Sequence, residues 1–263
     1  MNTFDYLNSF YNAKDEDARL TSRHGSVEFL TTLRYIERYL AEGSRILEIG
    51  AGTGRYSHYF ARAGYAVDAV ELIPHNIEVF RRNTLPGERI TVTEGNACHM
   101  PYLADDSYDI TLLLGPMYHL YTEEEQHAAL SEALRVTKPG GILFTAYCMN
   151  DASVIGFCFC RGGITKEPYK SLIDPVTFKC ASTPAEIFQL YRIEDVDALM
   201  AGFDTERLHL VGTDMATNYI ADTVDRMDEE TFALYLRYHY YICERADMIG
   251  TTYHLLDVVR KRG

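Results

Sequence analysis

Five apolar stretches, at 44–49, 66–71, 89–94, 108–114 and 141–148, alternate with helical patterns at about 54–63, 75–83 and 122–137. Strand, helix, strand in repetition requires parallel pairing, because each crossover returns the chain to the same edge of a sheet. The chain is thereby confined to α/β folds with helices covering both faces. Local signals agree: Thr122-Glu123-Glu124-Glu125 is a capping-box pattern that opens the third helix, and Pro139-Gly140-Gly141 ends it. Upstream, Val27, Leu30, Leu33, Ile36 and Leu40 fall at helical spacing behind Ser26 as a cap. Beyond residue 150 the alternation weakens. Residues 151–190 scatter Gly, Pro, Cys and aromatics without a βα unit. A short helix from Ile193 to Ala201, a strand from Arg207 to Val211, a helix from Glu229 to Glu244 and a last strand from Thr251 to Arg260 follow.

The first strand runs through Arg45-Ile46-Leu47-Glu48-Ile49 into Gly50-Ala51-Gly52-Thr53-Gly54. Alternating glycines permit a tight turn and the approach of a ligand to bare backbone. The second strand ends on Glu71, an acid placed to accept hydrogen bonds from ribose hydroxyls. Together they read as a nucleoside-cofactor site, an architecture that nicotinamide and sulfonium cofactors share. A dinucleotide fingerprint is G-x-G-x-x-G, and Arg55-Tyr56-Ser57 supplies no glycine at its third position. Glu48, two residues before the turn, suits a cationic ligand better than a diphosphate. Its plainer alternative is an ion pair with a surface Lys or Arg.

Several separated motifs together resemble the class I S-adenosylmethionine-dependent methyltransferases. Ile46 to Ser57 is similar to that family's first motif, Val70-Glu71-Leu72 to its ribose-binding strand end, and Glu94-Gly95-Asn96-Ala97 to its adenine-contacting segment. Tyr108 to Gly115 resembles the strand that ends beside the transferable methyl. Leu134 to Leu143 resembles the helix-loop-strand that closes the set. The resemblance covers residues 44–149. It implies a Rossmann-like sheet of seven strands, mostly parallel, with an antiparallel final strand inserted beside its neighbours. The whole chain is then one methyltransferase domain: an N-terminal helical lid over 1–43, the cofactor core over 44–149, a substrate-side insertion over 150–206, and completion of the sheet over 207–263. The implied cofactor is S-adenosyl-L-methionine, with S-adenosyl-L-homocysteine as product. Gly50, Ala51, Gly52, Gly54, Leu72, Ala97 and Leu114 would line its site. Glu48 would orient the methionine ammonium, Glu71 would take the ribose hydroxyls, and Asn96 would meet the adenine amine. Asn96 departs from the family's usual aspartate but can still accept a hydrogen bond through its carbonyl; a turn former is its plainer alternative.

Composition narrows the acceptor. A net charge of -13 over 263 residues disfavours nucleic acid or anionic membrane, which demand concentrated Lys and Arg. A small molecule methylated at oxygen, nitrogen or sulfur is the expectation. A protein- or RNA-modifying enzyme of the same fold, an NAD(P)-dependent oxidoreductase, and a non-catalytic S-adenosylmethionine-binding protein are the alternatives. No apolar run is long enough to cross a bilayer, and the six cysteines at irregular intervals do not form a disulfide framework, so the cytoplasm is the expected compartment. Cys98-His99 lacks a second spaced pair, and no metal is expected. Cys148, Cys158 and Cys160 read as packed thiols. For catalysis the segment Gly115-Pro116-Met117-Tyr118-His119-Leu120 matters most, since it follows the fourth strand. His119 is a candidate general base or a packing residue, and Tyr118 a candidate pocket wall. Tyr11, Arg23 and His24 are lid candidates. Tyr238, in a late helix rich in tyrosine, is a candidate for an aromatic acceptor pocket or for ordinary packing.

Overall fold

The computed structural model describes residues 2–13 and 22–263. Two helices precede the sheet, α1 (Thr3–Asn12) and α2 (Arg23–Ile36), and the core continues through β1 (Arg45–Ile49), α3 (Arg55–Arg62), β2 (Ala66–Glu71), α4 (Pro74–Asn83), β3 (Ile90–Glu94), β4 (Tyr108–Leu113), α5 (Glu123–Val136) and β5 (Thr137–Met149). The remainder supplies β6 (Leu190–Tyr191), α6 (Ile193–Met200), β7 (Thr205–Gly212), α7 (Glu229–Ile242) and β8 (His254–Lys261). The sheet order is β3-β2-β1-β4-β5-β8-β7, with the two-residue β6 pairing on β5 outside this path. The first five strands pair in parallel, and β8 lies antiparallel between β5 and β7. The expected seven strands and inserted final strand are present; β6 is an addition too short to leave a periodic signal.

Strand periodicity sorts the core into two layers. Leu47 and Ile49 of β1 join Leu113, Leu143 and Leu255 against α5 and α6, whereas Ile46 joins Ile110, Leu112, Phe144 and Leu256 against α2, α3 and α7. With both faces of the sheet covered, the interior strands are almost wholly buried, as parallel sheets require. The capping box at Thr122 and Glu125 forms as expected. One cap differs. Ser22, not Ser26, opens α2: its hydroxyl accepts the Gly25 N–H, while Ser26 sits one turn inside and donates to the Arg23 carbonyl. The apolar spacing that suggested Ser26 marks the buried face, and that face begins one turn after the helix itself.

Residues 150–190 hold short helical pieces, Asn150–Ser153, Val154–Cys160 and Tyr169–Leu172, around a small cluster of Val154, Cys158 and Ile173. None of the helices is long and apolar enough to cross a membrane among the described residues.

Candidate functional site

The strand order reverses between β1 and β4, and open α/β sheets bind ligands outside the carboxyl ends of the strands at such a point. A cavity of about 690 Å³ lies there, within the range of small-molecule sites. Its floor is the turn after β1. Gly50 and Ala51 both donate their N–H groups to the Val70 carbonyl, which folds the turn back over β2. Gly50 has φ +72°, and a Cβ there would lie 2.6 Å from the Pro116 ring. Only glycine fits. Gly54, with φ +91°, is needed for another reason: it caps α3 and packs on the Phe80 ring, and it does not line the cavity. Its place in the motif thus coincides with a packing role.

Two acids converge on this turn. Glu71 Oε2 accepts the Gly52 N–H at 2.7 Å, and its Oε1 accepts the Ile73 N–H at 2.9 Å and the Asn76 amide at 3.2 Å. Glu48 Oε2 accepts from the Ser57 N–H at 2.9 Å and from the Ser57 hydroxyl. Both acids are buried and line the cavity, and neither forms an ion pair among the described residues. The surface pairing considered for Glu48 is thereby replaced by anchoring to α3. Burial pushes the Glu48 carboxyl up to about 8, against the Ser57 hydrogen bonds and with help from the Glu71 charge. Burial also raises Glu71, against the bonds from Ile73, Gly52 and Asn76. Two buried acids without a cation suit a ligand that brings positive charge. Leu72, Asn96, Ala97 and Leu114 complete this side of the cavity. Asn96 also accepts the Cys98 N–H on its side-chain oxygen at 2.9 Å, so the turn role and the cavity position coexist.

The other end of the cavity is aromatic. Tyr11 of α1, Tyr118 and His119 after β4, and Phe188 before β6 all line it. His119 is fixed at both nitrogens: Nδ1 lies 2.8 Å from the Ile187 carbonyl, and Nε2 lies 2.7 Å from the Tyr11 hydroxyl. The carbonyl requires a proton on Nδ1, so Nε2 accepts from Tyr11. Burial drives this imidazole down to about 4, against the Ile187 bond. In this arrangement His119 links α1 to the core as a neutral ring.

Three lid or pocket candidates lie elsewhere. Arg23 pairs with Glu229, and His24 with Asp225 at 2.7 Å, so both fasten α2 to the chain around α7. Tyr238 is 55% exposed and does not line the cavity. The tyrosines of α7 face different ways: Tyr240 stacks under Arg34, Tyr235 meets the Thr217 hydroxyl, and Tyr241 faces solvent. Conversely, Phe188 and His254 line the cavity and were not anticipated. Neither sits in a motif. Phe188 follows a 38-residue irregular stretch that begins at 150, and His254 opens an ordinary strand.

Residues 47–145 match the family model described as a methyltransferase domain. The chain is 38% identical over 105 residues to the demethylmenaquinone methyltransferase of Renibacterium salmoninarum, covering 40% of this chain and 41% of that one. It is 33% identical over 106 residues to an S-adenosyl-L-methionine-dependent Diels-Alderase of Talaromyces variabilis, covering 39% of this chain and 35% of that one. The chain thus spans well under half the length of these relatives, between 35% and 41%. Among solved structures, an S-adenosylmethionine-dependent methyltransferase of Methanosarcina mazei superposes with a TM-score of 0.54 at 16% identity, over 87% of this chain and 97% of that one. Phosphoethanolamine N-methyltransferase 1 of Haemonchus contortus superposes with a TM-score of 0.60 at 14% identity, over 99% of this chain and 49% of that one. At these identities the structures attest the fold.

Proposed function

We propose that this chain, which belongs to the class I S-adenosylmethionine-dependent methyltransferase family, transfers a methyl group to oxygen, nitrogen or sulfur of a small molecule. The observation that carries the reading is the pair of buried, cation-free acids, Glu48 and Glu71, set on a glycine turn at the switch point of the sheet. A diphosphate would meet repulsion there, whereas a sulfonium and an ammonium would meet compensation. The donor brings its own leaving group, so the chain's work is to bind, align and exclude water. Glu71, already locked by three donors, would accept from the ribose hydroxyls, and Glu48 would orient the ammonium. Asn96 and Ala97 would border the adenine, and Leu114 the methyl. Tyr11 and Phe4, from α1, line the cavity, and α1 would help to exclude water from it.

An acceptor small enough to lie between Tyr11, Tyr118 and Phe188 fits this enclosure, and the quinone-directed relative points the same way. The unbridged cysteines suit a reducing compartment, which we take to be the cytoplasm. Calorimetry tests the cofactor: binding of S-adenosylhomocysteine with none of NADH is expected, and the reverse outcome sinks the reading in favour of an oxidoreductase. Transfer of labelled methyl across a panel of phenols, quinols, thiols and amines tests the activity. A second reading, cofactor binding without methyl transfer, is favoured by the Diels-Alderase relative. Binding of S-adenosylhomocysteine with no labelled product from small molecules, proteins or RNA would support it.

A further inference from the structure

His254 stands at the first position of β8, and β8 runs antiparallel to β5. Its side chain therefore reaches the carboxyl edge of the parallel strands, opposite Cys148, on the side where the cavity opens. The ring lines the cavity and faces Tyr118, with ring centres 6.1 Å apart. Its Nδ1 lies 2.7 Å from Asp214 Oδ2 and 3.4 Å from Glu28 Oε2. Asp214 is itself buried and held by five donors: the Thr252 hydroxyl, the Asn218 amide, the Tyr253 and His254 N–H groups, and the His254 ring. A carboxylate saturated in this way fixes a proton on Nδ1 and leaves Nε2 as the end that accepts one. It also has little left to offer a metal ion. At His119 both nitrogens are engaged, one of them by Tyr11, whereas the carboxylates at His254 reach Nδ1 and the Cys148 thiol lies beside the ring as a further partner.

We propose that His254 receives the proton of a protic acceptor (an alcohol, phenol or amine), with Asp214 fixing the ring and Glu28 countering the charge it gains. The proposal rests on methyl transfer being the activity. The acceptor's lone pair bonds to the methyl carbon as the carbon–sulfur bond breaks and leaves its pair on sulfur. The acceptor's O–H or N–H proton passes to Nε2, and the imidazolium later returns it to solvent. Burial opposes charge on this ring, but Glu28 and Asp214 outweigh it and hold the imidazole well above its ordinary range. The accepting form therefore increases as pH rises, and the rate should climb through neutrality. The groups facing the ring are Glu28 from α2, Cys148 from β5, Tyr118 from the segment after β4, and Asp214. Behind Asp214, burial keeps His239 of α7 neutral, its imidazole lowered to about 4, and holds Tyr235, Tyr219 and Tyr253 protonated.

Nitrogen NMR of the histidine-labelled chain, saturated with S-adenosylhomocysteine, reads this proton directly. His254 should carry both protons at neutral pH, and on raising the pH it should lose the one on Nε2. A ring that is neutral throughout, or whose resonances move on adding Mg²⁺ or Zn²⁺, overturns the proposal. His254→Asn should retain S-adenosylhomocysteine binding and lose at least about 100-fold in kcat toward the panel acceptor turned over fastest, within the range for general-base loss. Its rise of rate with pH should vanish, and added imidazole should restore part of the rate to His254→Gly. A folded His254→Asn that keeps the rise overturns the proposal alone. Failure of the unaltered chain to bind S-adenosylhomocysteine sinks the methyltransferase reading, and the proposal with it.

Discussion

The glycine turn after β1 and the cluster around His254 lie at the same edge of one sheet, yet they are made of different material. The turn works through backbone: N–H groups of Gly50, Ala51 and Gly52 fold onto a carbonyl and a carboxylate within about twenty positions of one another. The cluster works through side chains drawn from Glu28, Asp214, Asn218, Thr252 and His254, which only the folded sheet brings together. A backbone cradle tolerates change around it so long as the glycines stay. A side-chain network has no such reserve, because each buried polar member depends on the others. The first arrangement suits a ligand of constant shape.

Asp214→Asn strikes the network hardest and should break the comparison most visibly. It removes the charge from His254 and turns an acceptor of five bonds into a partial donor, so a loss of about 3–5 kcal/mol in denaturant unfolding is expected. The pH dependence has a defined sign. His254 is raised on folding, so its contribution is full below the ordinary histidine range and fades as pH climbs through the raised value. Asp214 is lowered by the His254 charge and hydrogen bonds despite burial, so its contribution fades as pH falls through acid values. The gap between the original chain and Asp214→Asn should therefore be widest in between. A gap that does not change with pH would show the pair to be uncharged.

On the other side, Glu71→Ala removes the acceptor that fixes Gly52, Ile73 and Asn76. S-adenosylhomocysteine binding should weaken by about 1–3 kcal/mol, the range for stranding buried polar partners. Calorimetry on a variant with unchanged unfolding midpoint checks it, and an unchanged dissociation constant removes Glu71 from the ribose. Glu48 gives a smaller, graded effect. Its carboxyl, held at about 8 without ligand, must ionise to meet a cation, so binding releases a proton and affinity should increase with pH until about 8. Glu48→Gln should flatten that slope in buffers of differing ionisation enthalpy.

The same division decides how much the sequence disclosed. The βα alternation, the turn, Glu48 and Glu71 were readable because each depends on neighbours in the chain: strand period, glycine spacing, an acid at a strand end. The α2 cap was misplaced by one turn because apolar spacing marks burial, and Ser22 caps a turn that is not yet buried. Gly54 carried the motif but answers to the Phe80 ring. His254 was invisible for the opposite reason. Nothing near it in sequence marks it, and its partners 28 and 214 meet it only because β8 enters between β5 and β7. His119 had the more prominent setting, yet Tyr11 and Ile187 occupy both its nitrogens.

The smallest expected effect sharpens where the acceptor face ends. Tyr238 sits in a tyrosine-rich helix, but its ring is more than half exposed and outside the cavity, so removing it uncovers little apolar surface. Tyr238→Ala should change stability by no more than about 0.5 kcal/mol, as for surface positions without a cap, charge pair or core contact. The KM for the acceptor should stay as it was. Phe188→Ala is the matched control: that ring lines the cavity and packs on His119 with centres 5.7 Å apart, so its loss should raise the acceptor KM while S-adenosylhomocysteine affinity holds. If instead Tyr238→Ala raises KM and Phe188→Ala does not, the acceptor enters along the outer face of α7, and the aromatic end of the cavity serves only to pack α1.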